Sequence, residues 1–236
     1  MGTFGGMTAA LLLNAVMGDS RVSGTPSAIT VNFIGRVTPG ADIVLTTTLL
    51  GASRSIQHWR SELTVKGSSE IAACATVVVT SRRPNDSLVQ PQMPDVPGPD
   101  GLELFHPPGS FGQQSPVRQG LGVGFEQGSH LGESHSAAWV REISGRPIDF
   151  LQIAYLCDNA APRAFYLGKG ARPSATVTYS VYFLATAEEL AEVGDDFTLM
   201  DVIGTRAEAS TVGSRVNLWQ RNGRLLATSE QLCWYR

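Results

Sequence analysis

At 236 residues, with 42% hydrophobic and 17% charged side chains, the chain holds enough apolar material for one large domain or two of ordinary size. A formal net charge of −3 offers no attraction to nucleic acid or to an anionic membrane surface. Cys74, Cys157 and Cys233 form no CxxC pair, and His58, His106, His130 and His135 lack ligand spacing; a disulfide framework and a metal site are both excluded, and a reducing cytoplasm is the expected compartment.

Gly5 and Gly6 open an apolar run, Met7 to Met17, rich in Ala and Leu and apolar on nearly every side, which predicts a buried helix ended by Gly18 and Asp19. With no basic stretch before it and Asn14 inside it, this run does not read as a signal peptide, and no segment approaches the ~18 apolar residues of a membrane span. Strands are predicted over 28–37, 42–50, 55–65 and 71–80, separated by Gly35, Pro39-Gly40, Gly51 and Gly67. The first half thus reads as one helix followed by a four-stranded antiparallel meander. Seven prolines between Arg82 and Ser115 predict a partly extended linker. Beyond it come a strand over 136–143 and a helix over 147–157, with Pro147 in its first turn and Ile148, Leu151, Tyr155 and Leu156 as its apolar stripe. Four more strands follow, over 175–184, 197–207, 211–220 and 225–235, and Asn222-Gly223 marks a hairpin.

The two halves share sequence. Ile29 to Ile34 (ITVNFI) reappears as Tyr179 to Leu184 (YSVYFL), 150 residues on. Gly67 to Arg82 reappears as Asn222 to Arg236, placing Ala73 on Ala227 and Arg82 on Arg236 at an offset of 154. Two matches in one order at nearly one offset mark a duplication. The expected organisation is an α+β double hotdog, in which each repeat is a buried helix wrapped by a curved antiparallel sheet. Its parts are an N-terminal hotdog over 1–83 that lacks its opening strand, a Pro/Gly-rich linker over 84–115, and a C-terminal hotdog over 116–236.

Phe4-Gly5-Gly6 leading into the Ala/Leu helix resembles the opening of type II (TesB-like) acyl-CoA thioesterases. So do Asn222 to Gln231 (NGRLLATSEQ), Asp158 after an apolar helix with Pro162 close behind, and the strand from Ala175-Thr176-Val177 to Val181-Tyr182-Phe183. The likeness covers nearly the whole chain outside the linker. In that family an Asp, a Thr and a Gln bind and activate the hydrolytic water; motif by motif these fall on Asp158, Thr176 and Gln231. The first-half counterparts of the last two are Pro26 and Val77, which cannot hold a water. In the better-known long-chain branch, histidines occupy the positions of Ser27 and Thr30.

The resemblance implies hydrolysis of an acyl-CoA to a free acid and CoA, acyl-CoA as the small-molecule partner, no metal or other cofactor, and a homodimer or higher homo-oligomer. Water can attack a thioester without a covalent enzyme intermediate if a carboxylate takes its proton and a hydroxyl and an amide fix its orientation. Gly5, Gly6 and Met7, at a helix N-terminus, are the expected substrate-binding and oxyanion-holding positions. Arg54, Arg60 and Arg141 are candidates for the CoA phosphates. Two alternatives stand beside this reading: a non-catalytic acyl-CoA-binding hotdog protein, and an enoyl-CoA hydratase, which would need a His near Arg163. A serine hydrolase is rejected, because Gly132-Glu133-Ser134-His135-Ser136 breaks G-x-S-x-G at its last position.

Overall fold

The computed structural model describes residues 2–107, 113–122, 133–168 and 172–236. The first half contains α1 (Gly5–Met17), β1 (Thr25–Phe33), β2 (Ile43–Ala52), β3 (Ile56–Val65) and β4 (Ile71–Thr80). The second contains β5 (Val117–Leu121), β6 (Ser136–Val140), α2 (Phe150–Leu156), β7 (Ser174–Phe183), α3 (Ala187–Val193), β8 (Thr198–Glu208), β9 (Thr211–Trp219) and β10 (Leu225–Tyr235). All ten strands form one antiparallel sheet in the order β2-β3-β4-β1-β7-β10-β9-β8-β6-β5. Its inner face wraps α1 and α2, and Leu12, Leu13 and Val16 of α1 and Ile153 and Leu156 of α2 are essentially inaccessible. Each such burial stabilises by roughly 1.5–3 kcal/mol.

The first half is not a simple meander. β1 pairs with β4, and only β2, β3 and β4 are joined as successive hairpins. The connection from Phe33 to Ile43 is too long for a tight turn and carries the chain across to the far edge. The second half repeats this order as β7-β10-β9-β8 and adds β6 and β5 beyond β8. β2, the counterpart of β8, has only β3 beside it among the described residues, which is where the opening strand is absent.

The duplication is visible in the register. Thr30 lies opposite Ser180 where β1 meets β7, with their hydroxyls 3.0 Å apart, so the pair related by the 150-residue offset sits on the pseudo-twofold axis. The register shifts at Ser27, between Pro26 and Ala28, and β7 shifts at the equivalent Val177. Ile34 and Gly35 N–H both donate to Ala72 C=O, and Leu184 and Ala185 N–H both donate to Leu226 C=O.

Other differences from the sequence reading have local causes. α2 starts at Phe150 because the Asp149 side chain accepts from Gln152 N–H (2.8 Å) and caps the helix there. α3, absent from the sequence reading, opens with a full capping box between Thr186 and Glu189. The linker does more than connect. Met93, Val96 and Leu102 pack on Trp139, Leu199 and Trp219, and Trp139 Nε1 donates to Pro97 C=O (2.8 Å).

Candidate active site

The site is assembled from both halves. α1 and α2 pack against each other, and the start of α1 meets the residues that follow α2. Thr8 N–H makes the first turn's bond, to Phe4 C=O (3.1 Å), so the N–H groups of Gly5, Gly6 and Met7 are the free donors of that helix end. Gly6 N–H donates to the Asp158 carboxylate. Asp158 follows the C-terminus of its own helix, where the dipole disfavours a carboxylate. It also lies at the positive end of α1, where the dipole and the free N–H favour a carboxylate.

Glycine is required at this approach. A Cβ on Gly5 would lie 2.7 Å from Asp158 Oδ2, and one on Gly6 would lie 2.5 Å from Tyr155 C=O and 2.7 Å from the Phe4 ring. Phe4 in turn packs edge-on against Tyr155, with centroids 5.1 Å apart. Burial pushes the Asp158 carboxyl up to about 7, and the Gly6 N–H opposes that rise.

Thr176 and Gln231 are brought together by strand irregularity. Gln231 lies opposite Tyr179, and Thr176 opposite Cys233, with Val177 as the extra residue of a bulge. Without that extra residue's offset, strict alternation would turn Thr176 to the face opposite Tyr179. Thr176 Oγ1 donates to Gln231 Oε1 (3.2 Å) and lies 3.7 Å from Cys233 Sγ, which is 3.6 Å from the same amide oxygen. The Asp158 charge acts on Tyr179 and on Cys233, the thiol that lies beside Thr176 and Gln231. Burial, reinforced by Asp158, raises the Cys233 thiol to about 11 and the Cys157 thiol to about 12, so both stay protonated near neutrality.

Cys233 and Tyr179 escaped the sequence reading, although period-two spacing from Gln231 places Cys233 on its face. Met7, at 41% exposure, is open to solvent beside the buried Gly6. Arg60 bonds to Glu62, and Arg141 stacks over Phe197 (4.5 Å), so each has a neighbour in its own half. Arg54 is exposed. His135 Nε2 lies 2.7 Å from Asp201 Oδ1; His130 lies outside the described residues. Among the described residues no group of three or more His, Cys, Asp or Glu is placed to hold a metal ion. No described helix is long and apolar enough to cross a membrane.

The first half carries equivalent positions with different groups. Gly18 and Asp19 follow α1 as Cys157 and Asp158 follow α2, with matching backbone bonds back into the helix end. Asp19 is gripped by Arg21 Nε (2.9 Å) and Nη2 (2.7 Å), which holds its carboxyl well below the usual range. Pro26 and Val79 stand opposite each other where Thr176 and Cys233 do, and Val77 stands for Gln231.

One ten-stranded sheet built of two related halves, each wrapped around a helix, defines a double hotdog protein. Family models for the acyl-CoA thioesterase N-terminal domain and C-terminal domain match residues 1–81 and 84–235, and the chain belongs to the acyl-CoA thioesterase family; it is a thioester hydrolase. A conserved hot dog fold protein of unknown function from Alicyclobacillus acidocaldarius is 32% identical over 100% of this chain and 88% of its own, with a TM-score of 0.91. The tesB protein of Mycobacterium avium subs paratuberculosis shares the fold at 19% identity over 99% of this chain and 87% of its own (TM-score 0.82). So does the acyl-CoA thioesterase II TesB2 of Mycobacterium marinum, at 20% identity over 100% and 90% (TM-score 0.73). No curated protein sequence matches significantly.

Proposed function

We propose that the chain hydrolyses acyl-CoA by direct attack of a water held by Asp158, Thr176 and Gln231. The observation that carries this reading is a buried carboxyl at about 7 whose charge reaches Cys233, the neighbour of a hydroxyl–amide pair on adjacent strands, in the half that keeps all three groups. A base near neutrality is half ionised at working pH and strong enough to take a proton. The water's oxygen bonds to the thioester carbon as its proton passes to Asp158. The tetrahedral intermediate then collapses, the C–S bond breaks, and the departing thiolate of CoA receives that proton. Gly6 N–H is committed to Asp158, so Met7 N–H, with Gly5 N–H beside it, is the donor left for the oxyanion.

The test is thiol release from a panel of acyl-CoAs by wild type, Asp158→Asn and Gln231→Ala. A fall of at least ~100-fold in both variants, with folding intact, is the expected outcome. Wild-type turnover that survives both substitutions would place the chemistry elsewhere.

A further inference from the structure

The thiol of Cys233 lies inside the polar cluster that the proposed mechanism uses, yet it has no task there. Cys233 stands two residues beyond Gln231 on β10, on the same face of the strand. It is 7% exposed and packs in a small apolar group with Ala164 and Val212. Its Sγ donates to Gln231 Oε1 at 3.6 Å and lies 3.7 Å from Thr176 Oγ1. Burial pushes the thiol up to about 11, so its hydrogen stays in place near neutrality. Thr176 Oγ1 donates to the same Gln231 Oε1 at 3.2 Å. An amide oxygen has two lone pairs, and here two hydrogens meet it.

In the first half the place of Cys233 is taken by Val79, fully buried, and that of Gln231 by Val77. A small apolar side chain therefore satisfies the packing at this point of the hotdog. What the thiol adds is a hydrogen, in the half that keeps the amide. A threonine hydroxyl can donate to an amide oxygen or accept from an amide nitrogen, so Thr176 alone leaves both orientations of the Gln231 amide open. A second donor on Oε1 selects one of them. With the oxygen turned to Thr176 and Cys233, the Nε2 end of the amide is turned away from them.

We infer that Cys233 is a positioning residue, whose S–H joins the Thr176 hydroxyl on Gln231 Oε1 so that the amide presents Nε2 to the hydrolytic water. This rests on the hydrolase reading above. One lone pair of the water accepts from Gln231 Nε2, and the other attacks the thioester carbon. One of the water's protons passes to Asp158. The second is held by the Thr176 oxygen, whose own hydrogen is committed to Gln231.

The experiment measures kcat and KM for wild type, Cys233→Ser, Cys233→Ala and Cys233→Val on the acyl-CoA that wild type hydrolyses fastest, with melting temperatures alongside. Valine restores the packing of the first half and carries no donor, whereas serine keeps a donor and packs less well. Losing one neutral hydrogen bond to an orienting group corresponds to roughly a three- to tenfold fall in rate. The Ala and Val variants should lose that much kcat while KM stays within about twofold of wild type. Cys233→Ser should recover most of the loss, despite a lower melting temperature than Cys233→Val. In a Gln231→Ala background Cys233→Val should cost nothing further, because the thiol acts through the amide. A serine variant no faster than the valine variant, or an undiminished cost in the Gln231→Ala background, overturns the positioning role and leaves the hydrolase reading standing. No turnover of any acyl-CoA by wild type overturns both.

Discussion

At the scale of single residues, Asp158 combines two demands that oppose each other. Its carboxyl is raised from 3.8 to about 7 because the folded protein shields it from water. The neutral form is therefore favoured by folding. The stability this contributes is complete below pH ~4, declines as pH rises from about 4 to 7, and is gone above 7. Three units correspond to about 4 kcal/mol. Asp158→Asn, which cannot ionise, should thus be more stable than wild type above pH 7, by up to about that amount, and no more stable below pH 4. Thermal unfolding across this range checks it, and equal pH profiles for the two proteins would contradict it. Catalysis runs the other way: only the carboxylate takes a proton from water, so kcat/KM should rise through pH ~7 to a plateau. On the proposed mechanism the more stable variant should be the less active one, the trade expected of a group kept for chemistry rather than for folding.

At the scale of elements, the close contact of α1 with the end of α2 sets the position of that carboxyl. Gly6→Ala would put a methyl group 2.5 Å from Tyr155 C=O, and neither that backbone nor the Phe4 ring can yield without moving a helix. We expect a loss of about 1–3 kcal/mol and a weaker Gly6–Asp158 bond. Melting temperature and kcat should fall together, while Gly40→Ala, at a site with open space around its Cβ, should lower only stability through its positive φ. A Gly6→Ala protein with wild-type kcat would show that α1 does not place Asp158. Much at this level was legible in sequence. The β8, β9 and β10 runs carry strand periodicity between clear turns, and their bounds fall within two residues of the expected ones. α3 was missed although Thr186-Ala187-Glu188-Glu189 spells a capping box, because its seven residues give too few apolar repeats to register. The pairing of β1 with β4 was not readable, since alternation fixes which face a strand buries and says nothing of its neighbour. Likewise the offset of 154 aligned Val77 with Gln231, but only the bulges at Ser27 and Val177 explain how Thr176 comes to face the amide.

At the scale of the molecule, the two hotdogs are one cooperative object. β1 and β7 pair over five residues about the axis through Thr30 and Ser180, which continues the hydrogen-bond ladder from β2 to β5 without a break. Arg82, at the end of the first repeat, fastens this seam. Its Nη1 donates to the carbonyls of Leu184 (2.8 Å) and Ala185 (2.7 Å), and its Nη2 donates to those of Pro26 (3.0 Å) and Phe183. Its sequence counterpart, Arg236, is exposed. The duplicated arginine has thus kept a structural task in one copy, just as the polar triad has kept its groups in the other. Removing Arg82 strands several carbonyls, two of them in the loop after β7 where water reaches only in part. Arg82→Met should therefore cost about 2–4 kcal/mol, or a fall of roughly 5–10 °C for a chain of this size, whereas Arg236→Met should change little. Because the seam is shared by both repeats, calorimetry of Arg82→Met should still give one transition. Two separated transitions would mean that each hotdog unfolds alone, and that the first repeat serves the site only by carrying the start of α1.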